Sequence, residues 1–515
     1  MRQFSALALS LAAFFLASTM TRADDDPLAK HRAFAGWRAG DGTIRDMRLT
    51  IVRKTVVKTA GGEESTVTTT QTRSMSGGRF RAIVERPESP SLAESGYDGI
   101  TFWITSVNGY LARLSPLTLR AREELALEAI YDDAISNFPP APTPAKAATE
   151  GDLVGVRVSP QTGLPVDLYM AADGAYRRAV LFPDARAPLV VEIEGYIDVL
   201  PGKKIIGKYR IGSAEYEVTK VEANLGLARA DLSPPAPYSI WSFGNDTVPI
   251  HVNVSDGGSR QVIVTASLDG HVGRFLLDSG ASTILLSNSF VATDLEKVGT
   301  SAFSGINGRR ESADLVRIKE LTVGSSTLRN VVVQKSTSTS IGGGVDGLLG
   351  YDFLAGAIVE VDLRAQTLKI RDPSTYQPTP GEHAAAFPVD GLSRRPVTPV
   401  QIGEGAKATA ILDTGNSYGV LLSDALRASG KVISLGGRSQ YFSGADGTGN
   451  YALDCARLSR MYVGPYPYEN ASVCFGSPQA FGSNGGLIGF DFLRHFNWTF
   501  DYPHGRFILT PNGVN

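Results

Sequence analysis

Alternating apolar and polar residues fill much of the first half of the chain. The runs are RDMRLTIVRKTVV (45–57), STVTTTQTRS (65–74), RFRAIVER (79–86), LVVEIEGYIDV (189–199), KKIIGKYRI (203–211) and EYEVTKVEA (215–223). A period near two is that of strands with one face toward a core. One stretch, LTLRAREELALEAIYDDAIS (117–136), has helical spacing instead. Many antiparallel strands with one or two helices predict a curved sheet or half-barrel packed on helices.

The second half has short apolar runs that end abruptly in a carboxylate. GRFLLDSGASTILLS (273–287) corresponds to ATAILDTGNSYGVLLS (408–423), and GLLGYDFL (347–354) to GLIGFDFL (486–493). Asp362 and Asp501 each lie twelve residues beyond Gly350 and Gly489. Asp278 precedes Gly350 by 72 residues and Asp413 precedes Gly489 by 76. Four features kept in order at near-constant spacing imply an internal duplication.

An ionised carboxylate is costly to bury, so an aspartate directly behind Phe275, Leu276 and Leu277 requires compensation. Gly280 and Gly415 permit a tight turn at each aspartate, while Ser279 and Thr414 can hydrogen-bond to backbone and lock it. Gly350 and Gly489 let another backbone pass close to the later apolar strand. Two such lobes about a pseudo-twofold axis bring Asp278 and Asp413 together. Like charges that close share one proton, leaving one base and one acid.

With 50 Lys+Arg against 52 Asp+Glu the net charge is −2, and no basic block stands out, so nucleic acid is not an expected partner. The 55 glycines and 28 prolines favour strands and turns over long helices. Arg2, the apolar stretch Phe4–Ala17 and small residues before Asp24 predict a secretory signal over residues 1–23. No later segment is apolar enough to span a membrane, so a soluble chain exported to the periplasm or beyond the cell is expected. Two cysteines, Cys455 and Cys474, are a candidate disulfide in that setting. Pro-rich FPPAPTPAK (138–146) reads as a loop, and DLSPPAPYS (231–239) and GLSRRPVTP (391–399) as breaks. The expected divisions are a β-rich domain at 24–235, a linker at 236–247, a first lobe at 248–373, an inter-lobe linker at 374–394 and a second lobe at 395–512.

The paired Asp-Ser/Thr-Gly and apolar-apolar-Gly motifs resemble those of retropepsin-like aspartic proteases, the clan of pepsins and retroviral proteases. The resemblance covers most of residues 248–512 and implies a bilobal acid-protease β-fold. It also implies a monomer, since both motifs lie in one chain, and hydrolysis of peptide or protein substrates without cofactor or metal. Asp278 and Asp413 would be catalytic. Flap tips would fall at Ser304, Gly305 and Gly308 and at Ser443, Gly444 and Gly447. Ala281 and Asn416 stand where pepsin-type enzymes carry hydroxyls. Without a donor from Ala281 the dyad should protonate more readily, which moves the expected pH optimum toward neutral.

YDGITFWI (97–104), GYIDVLPGKKIIGKYRIG (195–212) and KVEANLGLARADLSPP (220–235) resemble the LolA-like periplasmic lipoprotein carriers. That resemblance implies a half-barrel with a concavity suited to a lipid or acyl chain. An alternative for the whole chain is thus a non-enzymatic periplasmic lipid- or peptide-binding carrier on a degenerate protease scaffold.

Three competing motifs carry less. GNSYG (415–419) fits the nucleophile-elbow pattern, but Ser417 lies inside the Asp-Thr-Gly loop and lacks the strand–turn–helix setting. The six histidines show no zinc spacing, and His495 and His504 read as surface or packing residues. Asp352 and Asp491 repeat, yet sit where a structural turn or helix cap is expected.

Overall fold

The computed structural model describes residues 28–513 apart from 39, 59–63, 87–88, 115–145, 159–164, 182–187, 255–259, 291–294, 305–309, 337–340, 342–343, 379–380, 403–405, 418, 428–432, 443–450 and 477–484. The expected signal segment and the helical stretch at 117–136 fall outside the described residues. The protein is mainly β, and its described residues fall into two compact units: those within 1–82, 97–100 and 115–233 form one, and those within 83–96, 101–114 and 234–515 the other.

In the first unit the alternating runs form strands, and the pairings make an antiparallel sheet. Its order is Glu64–Ser76, Asp46–Lys58, Ala214–Ala223, Lys203–Ile211, Leu189–Leu200, Tyr176–Leu181, Val166–Met170, Leu153–Val158 and Lys146–Glu150. Irregularities at Thr50/Ile51, Ile193/Gly195 and Asp198/Leu200 bend it, as bulges do. The helix Ala29–Ala35 packs through buried His31, which lies parallel to the Tyr176 ring at 3.6 Å. Burial pushes the His31 imidazole down to about 4, so it is neutral at physiological pH.

The second unit is built on six antiparallel strands in the order Val248–Val254, Thr367–Arg371, Ile358–Asp362, Phe496–Asp501, Arg506–Pro511 and Ala385–Asp390. At the centre Val359 faces Phe500 and Val361 faces Trp498, so a strand of each half joins the other directly. One apolar cluster runs through both halves, from Phe275, Leu277 and Phe353 to Leu412, Phe492 and Phe507.

A hairpin from far upstream belongs to this unit. Phe102–Thr105 pairs with Leu111–Leu114, and Tyr110 enters the unit's main cluster. Asn108 accepts from Val332 N–H at 2.7 Å and donates to Val332 C=O at 2.8 Å, satisfying a strand as another backbone would. Ser106 Oγ donates to Asp352 Oδ1 at 2.5 Å, and Thr283 Oγ1 to Asp352 Oδ2 at 2.9 Å. Asp352 is fully buried and caps no helix; it fastens the hairpin to the loop behind Asp278.

Ser106→Ala leaves that buried carboxyl one donor short and should cost about 1–3 kcal/mol of stability. The check is the midpoint of urea unfolding followed by tryptophan fluorescence; an unchanged midpoint would show that the hairpin is merely laid against the unit.

Candidate active site

Asp278 stands at the end of the strand His271–Leu277, and Asp413 at the end of Ala406–Leu412. Each strand lies parallel to a short apolar partner. Leu277 pairs with Leu349 in Gly347–Leu349, and Leu412 with Ile488 in Gly486–Ile488. The same partners pair antiparallel with Leu285–Leu286 and Val420–Ser423, so each has a strand on both sides. Such central strands read as unbroken apolar runs because neither face meets water. The pairing also catches each aspartate's own N–H, donated to Leu349 C=O at 3.0 Å and to Ile488 C=O at 2.9 Å.

The hydroxyls beside the aspartates bond to the opposite loop rather than to their own. Ser279 N–H donates to Thr414 Oγ1 at 3.0 Å, and Thr414 N–H donates to Ser279 Oγ at 2.9 Å. Each hydroxyl in turn donates across the site, Ser279 to Leu412 C=O at 2.7 Å and Thr414 to Leu277 C=O at 2.8 Å. Both side chains are buried, so the four bonds form away from water. The two loops hold each other.

That exchange brings the carboxylates face to face. A Cβ on Gly280 would lie 2.4 Å from Asp413 Oδ1, and one on Gly415 would lie 2.4 Å from Asp278 Oδ1. Each aspartate therefore sits over the opposite glycine, where no larger residue fits. Gly280 and Ala281 N–H donate to Asp278 Oδ1 at 2.7 and 3.1 Å. Gly415 and Asn416 N–H donate to Asp413 Oδ1 at 3.0 and 3.2 Å. One oxygen of each carboxylate is thus held by main chain. Asn416 Nδ2 turns away, toward Gly419 C=O.

Burial pushes both carboxyls above the ordinary range, and for Asp278 the facing Asp413 pushes the same way. The main-chain donors pull against this, as does Arg395. The two carboxyls share one buried setting, so the ionisation of each depends on that of the other.

Gly350 does what its place in the sequence required: a Cβ there would meet Thr283 C=O at 2.2 Å and Ala281 C=O at 2.6 Å. Gly489 N–H donates to Gly419 C=O. Glu296–Ser304 pairs with Arg310–Val323, and Ile433–Phe442 with Tyr451–Val463, so a hairpin stands in each expected flap position. Ser304 ends the first strand; Gly305, Gly308, Ser443, Gly444 and Gly447 lie outside the described residues. Cys455 and Cys474 are directly opposite on adjacent strands and form a disulfide. Asp491, the counterpart of Asp352, is half-buried near Gly419. His504 Nδ1 meets buried Asp501 at 2.5 Å, and Arg506 closes on the same carboxylate, a structural ion pair at a turn.

Two groups near the dyad gave no signal in the sequence. Arg395 opens the strand Arg395–Ile402 and acts on both aspartates. Tyr502 follows Asp501, is buried, and feels both aspartates, which together with burial raise its hydroxyl far above the ordinary value. Neither lies in a motif; only strand register brings them to the site.

Residues 264–353 match the aspartyl protease family, of the retropepsin-like clan. The matched span takes in Asp278 and Gly350 and ends before Asp413. No curated protein matches the chain.

Thr414→Ala removes an acceptor from buried Ser279 N–H and a donor from Leu277 C=O, and should cost about 2–3 kcal/mol. Thr414→Ser keeps both bonds and should lose little. Thermal unfolding of the two variants tests this; equal losses would place the cost in the methyl group.

Proposed function

We propose that this chain is an exported aspartic endopeptidase, monomeric and built on two duplicated lobes, whose Asp278/Asp413 pair activates water. The observation that carries this reading is the reciprocal seating of each carboxylate over the other loop's glycine. A pair of aspartates that merely held turns would have no reason to face one another. Buried this closely, they bear a net single negative charge supported by main-chain N–H groups.

The chemistry follows from that charge. The ionised carboxylate removes a proton from a water held between the two, and the water oxygen attacks the peptide carbonyl carbon. The protonated carboxyl gives its proton to the carbonyl oxygen, so a neutral gem-diol forms. Collapse of the diol returns one hydroxyl proton to a carboxylate while the other carboxyl protonates the departing nitrogen. The C–N bond breaks and the dyad is restored with one proton. No covalent intermediate and no metal enters these steps.

Residues 24–235, most of them in the first unit, are the part we read as LolA-like, and a lipid or acyl chain is the candidate ligand of that part. Lipid retained by the full-length protein through purification, identified by mass spectrometry, would support that part of the reading.

Cleavage of an unstructured peptide pool tests the catalytic assignment. Asp278→Asn and Asp413→Asn should each lower kcat/KM by about 10³-fold or more, since either change removes the acid–base pair. A statine-type inhibitor should abolish the wild-type activity. Undiminished cleavage by either variant would end the dyad reading.

The raised carboxyls also fix the direction of the pH dependence. Activity needs one proton on the pair, so it declines as pH rises through the higher of the two pair values and as pH falls through the lower. Both directions of shift are upward, which places the optimum nearer neutral than for a dyad with extra hydroxyl donors. A pH–rate profile with a sharp maximum between about pH 2 and 3 would contradict this.

A further inference from the structure

The backbone and hydroxyl arrangement of the site is nearly twofold, but its charges are not. Val397 pairs with Ile411, two residues before Asp413, and Ile263 pairs with Leu276, two residues before Asp278. Counting one pleat back from each gives Arg395 in one half and Gln261 in the other. By register, a cationic residue in one half corresponds to a neutral amide in the other.

Arg395 is half-buried, and its Nε is shut away from water with no hydrogen-bond partner among the described residues. Asp278, Asp413 and the Tyr502 hydroxyl feel its charge. Asp390 lies opposite it across the hairpin, but its Oδ2 already accepts from Ser393 N–H. Neighbouring Arg394 is turned elsewhere, stacked over the Tyr351 ring at 5.5 Å and donating to Thr105 C=O at 2.8 Å. Among the described residues Arg395 forms no ion pair with a side chain of its own unit other than through the dyad's field.

We infer that Arg395 is the counter-ion of the Asp278/Asp413 pair, a positioning residue that holds the pair in its singly ionised state and sets the pH range over which it works. The inference rests on the aspartic-peptidase reading for its consequence in catalysis, but not for its electrostatics. Its guanidinium supplies a positive charge beside the pair. It favours the ionised form of each carboxyl. Removing it makes both harder to ionise, and both limbs of the pH profile move upward.

The other half of the site supplies the test substitution. In Arg395→Gln both limbs should move up by about one pH unit, the scale of one partly screened charge near a buried carboxylate. Arg395→Lys keeps the charge and should leave the limbs near their wild-type positions. A merely structural arginine would lower the rate at every pH and move neither limb, and that result would overturn the inference.

Carboxyl titration separates this from failure of the peptidase reading. With carboxyl-¹³C aspartate incorporated, the two signals lost in Asp278→Asn and Asp413→Asn identify the pair by NMR. Their midpoints should rise in Arg395→Gln whether or not any peptide is cut. Unmoved midpoints would refute the counter-ion role; moved midpoints in a protein that cleaves nothing would leave it standing and count against the peptidase reading alone.

Discussion

Everything in the site depends on the exchange between Ser279 and Thr414. Two carboxylates placed close together in a buried setting repel whenever both ionise, so their own interaction cannot be what keeps them close. Neutral groups do that work. Each hydroxyl accepts from the N–H of the other loop and donates to the carbonyl preceding the other aspartate, which uses the hydroxyl in both of its capacities. The geometry of the charges is thereby fixed by bonds whose strength does not change when a proton moves. Under the proposed acid–base reading, a site that gains and loses protons without coming apart needs that separation of duties.

The exchange would be loose if the strands behind it could shift, and several independent ties prevent this. Leu277 and Leu412 present their accepting carbonyls from strands that are held in parallel register with Gly347–Leu349 and Gly486–Ile488. Below them Val359–Val361 is joined to Trp498–Phe500 in one sheet, so the halves share hydrogen bonds as well as an apolar cluster. The upstream hairpin adds a third tie. Asp352 connects Ser106 to Thr283, five residues after Asp278, through a carboxyl that burial holds above its usual range and that three polar side chains support. A residue repeated in both halves has here become a fastening in one of them.

The strands and the paired loops were legible because their signals are local. A period of two marks half-buried strands, and an aspartate behind three apolar residues is anomalous enough to demand a partner. What could not be read is what register alone brings together. Arg395 stands in GLSRRPVTP, a stretch whose prolines suggest only a break, and its meaning depends on Val397 pairing with Ile411. Tyr502 follows an aspartate whose own role is an ion pair with Arg506 and a hydrogen bond with His504. Residues 101–114 carry no mark of the unit they join; Ser106, Asn108 and Tyr110 acquire their roles only from Asp352, Val332 and the cluster they enter. The crossing of the hydroxyls was half legible. Their chemistry calls for backbone partners, but which loop supplies them is a tertiary fact.

A pseudo-twofold site also faces a problem that symmetry creates. Acid–base hydrolysis needs one carboxyl to act as acid while the other acts as base. Two aspartates in identical surroundings would offer the proton to either at equal cost, and nothing in the hydroxyl exchange or the main-chain donors distinguishes them. The differences lie one layer out. Arg395 answers Gln261 in register, Ala281 answers Asn416, and buried Asp352 answers the half-buried Asp491. Each leaves the backbone frame intact while making the electrostatic surroundings of the two halves unequal. Keeping the frame symmetric secures the seating of the carboxylates; letting the second layer diverge would give a proton shared between them a preferred side. That division explains why the motif residues repeat so closely in this chain while the residues packed around them do not.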